Sequence, residues 1–292
     1  MEYKTIKNET KIPVIGLGTW QIGGGNEADY SSDSSNIKLI QNAIQLGYTL
    51  IDTAEKYAAG HTEELIGQAI QNVPRDKLFI VSKVTSKNLA YDDLIMSAKK
   101  SLERLKIDYF DLYLIHSYNN AIPIEETMRA MDFLVDNKLT KFIGVSNFSV
   151  KELSEAQKHT KNKIVANQIQ YSLITRNKGT YANCINMESE IIPYCQKNDI
   201  IIIAYRPLER GALIKNNETI LNKTLDSLSK KYNKTKTQIA LNWLISKKNI
   251  IAIPMSTNPI HQKENLGALG WNLNKEDTTL LDQIPIENNI SK

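Results

Sequence analysis

Short apolar, β-branched runs that end on a glycine or a polar residue alternate with longer segments whose apolar residues recur at helical spacing, and this unit repeats along the chain. The strand-like runs cover residues 15–18, 49–52, 79–83, 109–115, 142–146, 165–169, 200–205 and 250–254. Helical patterns lie between them at 36–46, 62–72, 91–105, 124–137, 150–158, 188–197 and 217–232, with an extra helix at 236–246 before the last strand. Ser149, followed three residues later by Glu152, makes a capping box, and Gly47 stands where the first helix should stop. Ile200-Ile201-Ile202-Ile203 is apolar throughout, as in a strand covered by helices on both faces; a half-exposed antiparallel strand would alternate. Eight such units predict an α/β fold of the closed (β/α)8 TIM barrel type rather than an open doubly wound sheet. Ahead of them, residues 3–6 and 11–14 alternate around Asn8 and Glu9, predicting an N-terminal β-hairpin that caps one end. Extra helices are expected late in the chain, and no linker or low-complexity stretch divides it, so residues 1–292 are expected to form one domain.

Composition narrows the function classes. With 41% hydrophobic and 23% charged residues the chain lies far from the disordered regime. Its 36 Lys+Arg against 32 Asp+Glu are scattered rather than gathered into a stripe, which argues against a nucleic-acid partner. Cys184 and Cys195 form neither a CxxC nor a metal-ligand spacing, so no disulfide framework and no metal site are expected. No apolar stretch has spanning length, which predicts no membrane partner and a cytoplasmic location.

In a barrel of this kind, chemistry gathers at the carboxyl ends of the strands. Asp52 closes the second strand, Tyr57 lies in the loop beyond it, Lys83 closes the third strand and His116 follows the fourth. Each alone has an ordinary packing or capping explanation; together they converge on one mouth. A phenol, with a reference pKa of about 10, is a poor acid at neutral pH. An ammonium about 4 Å away at an effective dielectric of about 20 contributes about 4 kcal/mol, and a two-unit decrease needs only about 2.7 kcal/mol. Lys83 is therefore expected to lower the Tyr57 pKa, provided that Asp52 keeps the buried amine charged, while His116 orients a substrate carbonyl. Another reading stays open: a Schiff-base lyase, for which Lys83 would have to be neutral.

These residues sit in an ordered series: Gly16-Leu17-Gly18-Thr19-Trp20, Asp52-Thr53-Ala54 with Tyr57, His61-Thr62-Glu63-Glu64-Leu65-Ile66-Gly67, Val81-Ser82-Lys83-Val84 and Asp111-Leu112-Tyr113-Leu114-Ile115-His116. Gly144-Val145-Ser146-Asn147-Phe148, Asn167-Gln168 with Tyr171, Pro207-Leu208 with Gly211, and Ile253-Pro254 with Glu264-Asn265 complete it. Over nearly its whole length the chain resembles an aldo-keto reductase, and non-enzymatic relatives of that family leave open a second alternative, a non-catalytic NAD(P)H-sensing or scaffold protein on the same fold. The resemblance implies reduction of an aldehyde or ketone by NADP(H) or NAD(H), with Asp52, Tyr57, Lys83 and His116 as the catalytic tetrad and Tyr57 as proton donor. It further implies that Trp20 lines the substrate pocket with Tyr57 and His116, and that Gly18, Thr19, Trp20 and Asp52 border the cofactor. By the same resemblance the nicotinamide stacks on Tyr171, and its carboxamide meets Ser146, Asn147 and Gln168. The pyrophosphate is expected beside Arg206, Pro207, Leu208, Gly211 and Leu213, with main-chain amides as donors. No GxGxxG follows a strand, and Gly23-Gly24-Gly25 lacks that pattern, so a Rossmann domain is not expected.

The chain departs from the resemblance near the adenosine end. Where many NADPH-dependent members carry Lys and Arg, it has Met255 and His261; a thioether cannot pair with a 2′-phosphate. Dual use of the two cofactors, or a preference for NADH, is the expectation, with Ile253, Ser256, Thr257, Asn258, Glu264 and Asn265 around the adenosine. An open pocket is expected from the short segment after His116 and the short tail, and the resemblance implies a monomer.

Overall fold

The computed structural model describes residues 1–6, 10–215 and 218–285. Strands β1 (Tyr3–Thr5) and β2 (Lys11–Pro13) pair antiparallel with Lys4 opposite Ile12, and Ile6 and Ile12 are buried beneath the barrel. The turn expected around Asn8 and Glu9 lies outside the described residues.

Eight parallel strands follow: β3 (Leu17–Gly18), β4 (Leu50–Asp52), β5 (Phe79–Val84), β6 (Phe110–Ile115), β7 (Thr140–Ser146), β8 (Ile164–Gln170), β9 (Ile201–Tyr205) and β10 (Ile250–Ala252). They pair in chain order, and the ring closes where Ile15 bridges Ala252, with Gly16 N donating to Ala252 O at 2.9 Å and Ala252 N to Val14 O at 2.9 Å. This is the expected (β/α)8 architecture. Every residue of β5, β6 and β8 is buried, as a strand covered by helices outside and packed side chains inside requires.

The outer layer holds α1 (Asp33–Leu46), α2 (His61–Ala69), α3 (Tyr91–Leu105), α4 (Ile124–Asp136), α5 (Val150–Lys158), α6 (Ile192–Lys197), α7 (Ile220–Tyr232), α8 (Lys236–Ser246), α9 (Pro259–Leu266) and α10 (Lys275–Gln283). Gly47 ends α1 with φ 107°, a conformation that suits glycine, and both halves of the Ser149/Glu152 capping box start α5.

Several boundaries differ from the sequence pattern: α1 starts at Asp33 instead of residue 36, α2 ends at Ala69 instead of residue 72, and β3 covers only Leu17–Gly18 of 15–18. The helix expected from residue 188 opens as a π-turn, Met187–Ile191, and becomes α-helical only at Ile192, because Pro193 has no N–H to give and its ring excludes a carbonyl four residues back. The last strand stops at Ala252, two residues short of the expected end at Pro254, although Pro254 O still accepts from Gly18 N at 3.2 Å. Helix α7 begins at Ile220; the expected start at Asn217 lies outside the described residues.

No helix among the described residues is long and apolar enough to cross a membrane, and no group of three His, Cys, Asp or Glu could hold a metal ion. Helices α2 and α3 touch at Gly67, where a Cβ would stand 2.5 Å from Arg104 O and 2.9 Å from Leu105 O. Alanine is the better helix former, yet here it would force the two backbones apart. Gly67→Ala is expected to lower stability by about 1–3 kcal/mol, read as a lower urea midpoint at unchanged slope.

Candidate active site

Strand pairing brings the four expected residues together. Asp52 sits opposite Val81, Lys83 lies two residues further along β5 opposite Leu114, and His116 N donates to Val84 O at 3.0 Å. The Lys83 ammonium is fully buried and has three acceptors for its three hydrogens: Asp52 Oδ1 at 2.6 Å, Thr53 O at 2.7 Å and the Tyr57 hydroxyl at 3.3 Å. The second Asp52 oxygen accepts from Gln168 Nε2 at 2.7 Å. Because Lys83 donates to the Tyr57 oxygen, the phenolic proton is not engaged by the lysine and is free to point elsewhere.

Tyr57 is delivered by a single turn after β4. Ala58 (φ 48°), Ala59 (φ 53°) and Gly60 (φ 98°) are left-handed in succession and reverse the chain into α2. For the two alanines this costs on the order of 1 kcal/mol each, strain of the kind found where a side chain must be aimed. Arg104 of α3 lies against Gly60, where a Cβ would come within 2.8 Å of its Nε, and its guanidinium is paired with the buried Glu63 at 2.7 Å. Glu63 in turn accepts from Ser82 Oγ at 2.6 Å, tying this turn to the strand that carries Lys83.

The Tyr57 ring meets Trp20 edge to face at 5.0 Å and His116 at 5.9 Å. Trp20 Nε1 and His116 Nδ1 are buried polar atoms without a hydrogen-bond partner among the described residues. Unpaired buried donors and acceptors are costly unless a ligand meets them.

The charges are set by opposed effects. Burial pushes Lys83 down, but Asp52 and Tyr57 more than offset it, so the amine lies above its ordinary value and stays an ammonium. Burial lifts the Asp52 carboxyl against the pull of Lys83 and Gln168. The expectation that Lys83 brings Tyr57 below its ordinary value is corrected: Lys83 does lower it, yet burial raises it more, and the net direction is upward. Tyr57 is thus a protonated phenol across the neutral range. His116 is pushed down to about 3 by burial, then by Lys83 and Lys56, so its imidazole is neutral.

Of the residues expected around the cofactor, Ser146, Asn147 and Gln168 meet in one chain of hydrogen bonds: Ser146 Oγ donates to Gln168 O at 3.0 Å, and Asn147 Nδ2 donates to Ser146 Oγ at 2.9 Å and His116 O at 3.1 Å. Thr19 Oγ1 donates to Asp52 O at 2.8 Å, and Gly18 passes so close to Ile253 that a Cβ would lie 2.7 Å from its carbonyl oxygen. Tyr171 directly follows β8, but its side chain is buried. It is 1% exposed, stacks on Trp243 at 5.6 Å and gives its hydroxyl to Glu188 at 2.7 Å, so its ring is a wall element and not an open platform.

Tyr205, which the sequence reading overlooked, ends β9, is partly exposed and donates to Asn147 Oδ1 at 3.0 Å. Its signal was its place at a strand's carboxyl end, the criterion that picked out Asp52 and Lys83.

Beyond it, Arg206 (φ 50°), Glu209 (φ 46°), Arg210 (φ 55°) and Gly211 (φ 85°) are all left-handed, while Pro207 and Leu213 are buried and Leu208 half-buried. Further on, Met255 and Ser256 are half-buried, Thr257 and His261 are exposed, and Glu264 is half-buried. Asn258 receives a bond from Ile260 N to its side chain and caps α9. Asn265 is 3% exposed, on the inner side of α9 beside Tyr48, and so presents little to an adenine.

The sequence profile of the Aldo/keto reductase family matches residues 14–286. The chain is 32% identical over 286 residues to the methylglyoxal reductase YeaE of Escherichia coli, covering 97% of this chain and 95% of that protein. It is 32% identical to the glyoxal reductase of Bacillus subtilis, covering 96% and 91%. Among solved structures, the thermostable aldo-keto reductase Tm1743 with the inhibitor epalrestat superposes with a TM-score of 0.90 at 42% identity, covering 98% of this chain and 100% of that one. An aldo/keto reductase from Klebsiella pneumoniae in complex with NADP and acetate superposes with a TM-score of 0.84 at 29% identity, covering 98% and 96%. The chain belongs to the aldo-keto reductase family, and it is an NAD(P)H-dependent oxidoreductase that reduces carbonyl groups.

The depressed His116 pKa has a consequence for stability. Between the ordinary histidine value near 6.5 and about 3, the unfolded chain binds a proton that the folded chain refuses, so this contribution is full above the unfolded value and is lost as pH falls through that window. His116→Gln is expected to lose less stability than the parent between pH 7 and pH 5, measured by urea unfolding at both.

Proposed function

We propose that Tyr57 is the general acid of this reductase, with Lys83 and Asp52 as its electrostatic support and His116 as the group that orients the substrate carbonyl. One observation carries the reading: Lys83 spends its third hydrogen on the Tyr57 oxygen, which leaves the phenolic proton available to a substrate. Asp52 keeps Lys83 charged in a fully buried position. The neutral His116 ring lies 5.9 Å from the Tyr57 ring, and a carbonyl oxygen gaining negative charge would be held between the two and then protonated. In the reverse direction Tyr57 is the base: as a phenolate held by the hydrogen bond from Lys83, it takes the hydroxyl proton of the alcohol.

A bound nicotinamide cofactor supplies or accepts the hydride. The residues that fit it are Tyr205 as the ring platform in place of Tyr171, and Ser146, Asn147 and Gln168 beside the carboxamide. Arg206 with the backbone from Leu208 to Leu213 suits the pyrophosphate, and Met255, Ser256, Thr257, Asn258 and His261 suit the adenosine. The fit rests on polar atoms buried without partners at the mouth and on the run of left-handed residues that turns main-chain groups outward after β9. A Schiff-base role for Lys83 is disfavoured by the Asp52 contact, which holds the amine protonated. The reading extends to a monomeric, cytoplasmic enzyme folded as one domain, supported by the unbroken series of barrel units and by two free, buried cysteines. Small α-oxoaldehydes are the substrates to try first, since two relatives reduce compounds of that kind.

Tyr57→Phe is expected to reduce kcat for carbonyl reduction by about 10²–10⁴-fold while leaving NADPH affinity unchanged, since only the proton is removed. Parental turnover in the variant would refute the assignment. Fluorescence-quenching titrations should give NADH and NADPH dissociation constants within about a hundredfold of each other, because Met255 offers no charge to a 2′-phosphate; a larger advantage for NADPH would overturn this.

A further inference from the structure

Hydrogen bonding between β4 and β5 continues past the last residue of β4. Thr53 N donates to Val81 O at 2.8 Å and Glu55 N to Lys83 O at 3.3 Å, the alternate-residue rhythm of a parallel ladder. In that rhythm the next donor, Thr85 N, belongs to the main-chain oxygen of Glu55. It goes instead to the Glu55 side chain, donating to Oε1 at 2.6 Å. Asn88 Nδ2 donates to the same oxygen at 3.3 Å. Asn88 is itself fixed, since its N donates to Thr85 O at 3.0 Å and its Nδ2 to Ser97 Oγ of α3 at 3.0 Å.

Exchanging a main-chain acceptor for a side-chain one releases the backbone of Glu55 from the sheet. Tyr57 N donates to Ala54 O at 3.0 Å, closing a turn with Glu55 and Lys56 at its centre. Had Glu55 O stayed on Thr85 N, residues 55–57 would run on beside β5 and carry Tyr57 past Lys83. The turn instead brings the Tyr57 hydroxyl back to 3.3 Å from Lys83 Nζ. Glu55 Oε1 thus ties together the two segments that leave the catalytic strands: one reaches Tyr57 two residues later, the other starts two residues beyond Lys83. The hydrogen bonds of the half-buried carboxylate go to Thr85 and Asn88 and not to Lys83, Tyr57 or His116, so its influence on the reaction passes through the backbone.

We propose that Glu55 is a positioning residue: its carboxylate stands in for its own carbonyl group in the β4–β5 ladder and so sets the distance between the Tyr57 hydroxyl and the Lys83 ammonium. This rests on the reading of Tyr57 as the proton donor. The role demands an oxygen at the right reach and not a negative charge, because a main-chain N–H is satisfied by a neutral amide oxygen. Reach matters, since a misplacement of about 1 Å in a reacting group can cost about a hundredfold in rate.

Two substitutions separate reach from charge. Glu55→Gln keeps an acceptor at the same distance without the charge, whereas Glu55→Asp keeps the charge and draws the oxygens back by one methylene. With methylglyoxal and NADPH, the glutamine variant is expected to retain most of the parental kcat, and the aspartate variant to lose about ten- to hundredfold in kcat at unchanged NADPH affinity. If Glu55 acts through Tyr57, the aspartate substitution should cost nothing more in a protein that already carries Tyr57→Phe. Parental kcat in the aspartate variant, a glutamine variant as impaired as the aspartate one, or a loss confined to NADPH affinity would overturn the assignment. An aspartate loss that adds in full to that of Tyr57→Phe overturns it while leaving Tyr57 as the acid, whereas parental turnover in Tyr57→Phe alone overturns both.

Discussion

The pairing of Lys83 with Asp52 inside the barrel is the constraint on which the site depends. Removing an ammonium and a carboxylate from water costs several kcal/mol for each ion, and mutual attraction offsets this only when the remaining hydrogens and lone pairs are also satisfied. Here they are: Nζ has three acceptors, and Asp52 has Gln168 at its second oxygen. Gln168 lies on β8, so the pair draws β4, β5 and β8 into one polar cluster across the barrel. A hydrophobic filling of the same volume would be easier to fold, and the ion pair is retained for what it does to Tyr57.

What it does is narrower than electrostatics alone suggested. Lys83 lowers the phenol, but the dry surroundings that strengthen that attraction also penalise the phenolate, and burial prevails. A proton donor need only be acidic relative to the alkoxide it meets, and a phenol that is fully protonated at neutral pH is always ready to give. In the proposed role the lysine acts chiefly by geometry, occupying the phenolic oxygen so that its hydrogen is left for the substrate.

The architecture and the tetrad were legible because both are written locally. Eight apolar runs with helical spacing between them specify the barrel, and Asp52, Lys83 and His116 each mark a strand's carboxyl end. Helices α9 and α10 were expected only as extra late helices without bounds, because they bury only Gln262 and Asn265 in one and Asp277 and Leu281 in the other, so no apolar stripe fixes their place. Tyr171 and Tyr205 illustrate a different gap. Each follows or ends a strand, yet one stacks on Trp243 from α8 and the other faces Asn147; which aromatic is open depends on a distant helix that local pattern does not reveal. The segment after β8, where Lys178 bridges Ile185, was equally silent, since its tethers reach Gln170, Asn147 and Glu152 through side chains and not through any periodicity.

Arg104 belongs to the outer ring of helices, yet its guanidinium lies under Gly60 and props the left-handed turn that presents Tyr57. Replacing Arg104 would therefore leave Glu63 buried without its cation and loosen that turn from behind, so a side chain with no place in the pocket still governs what the pocket presents.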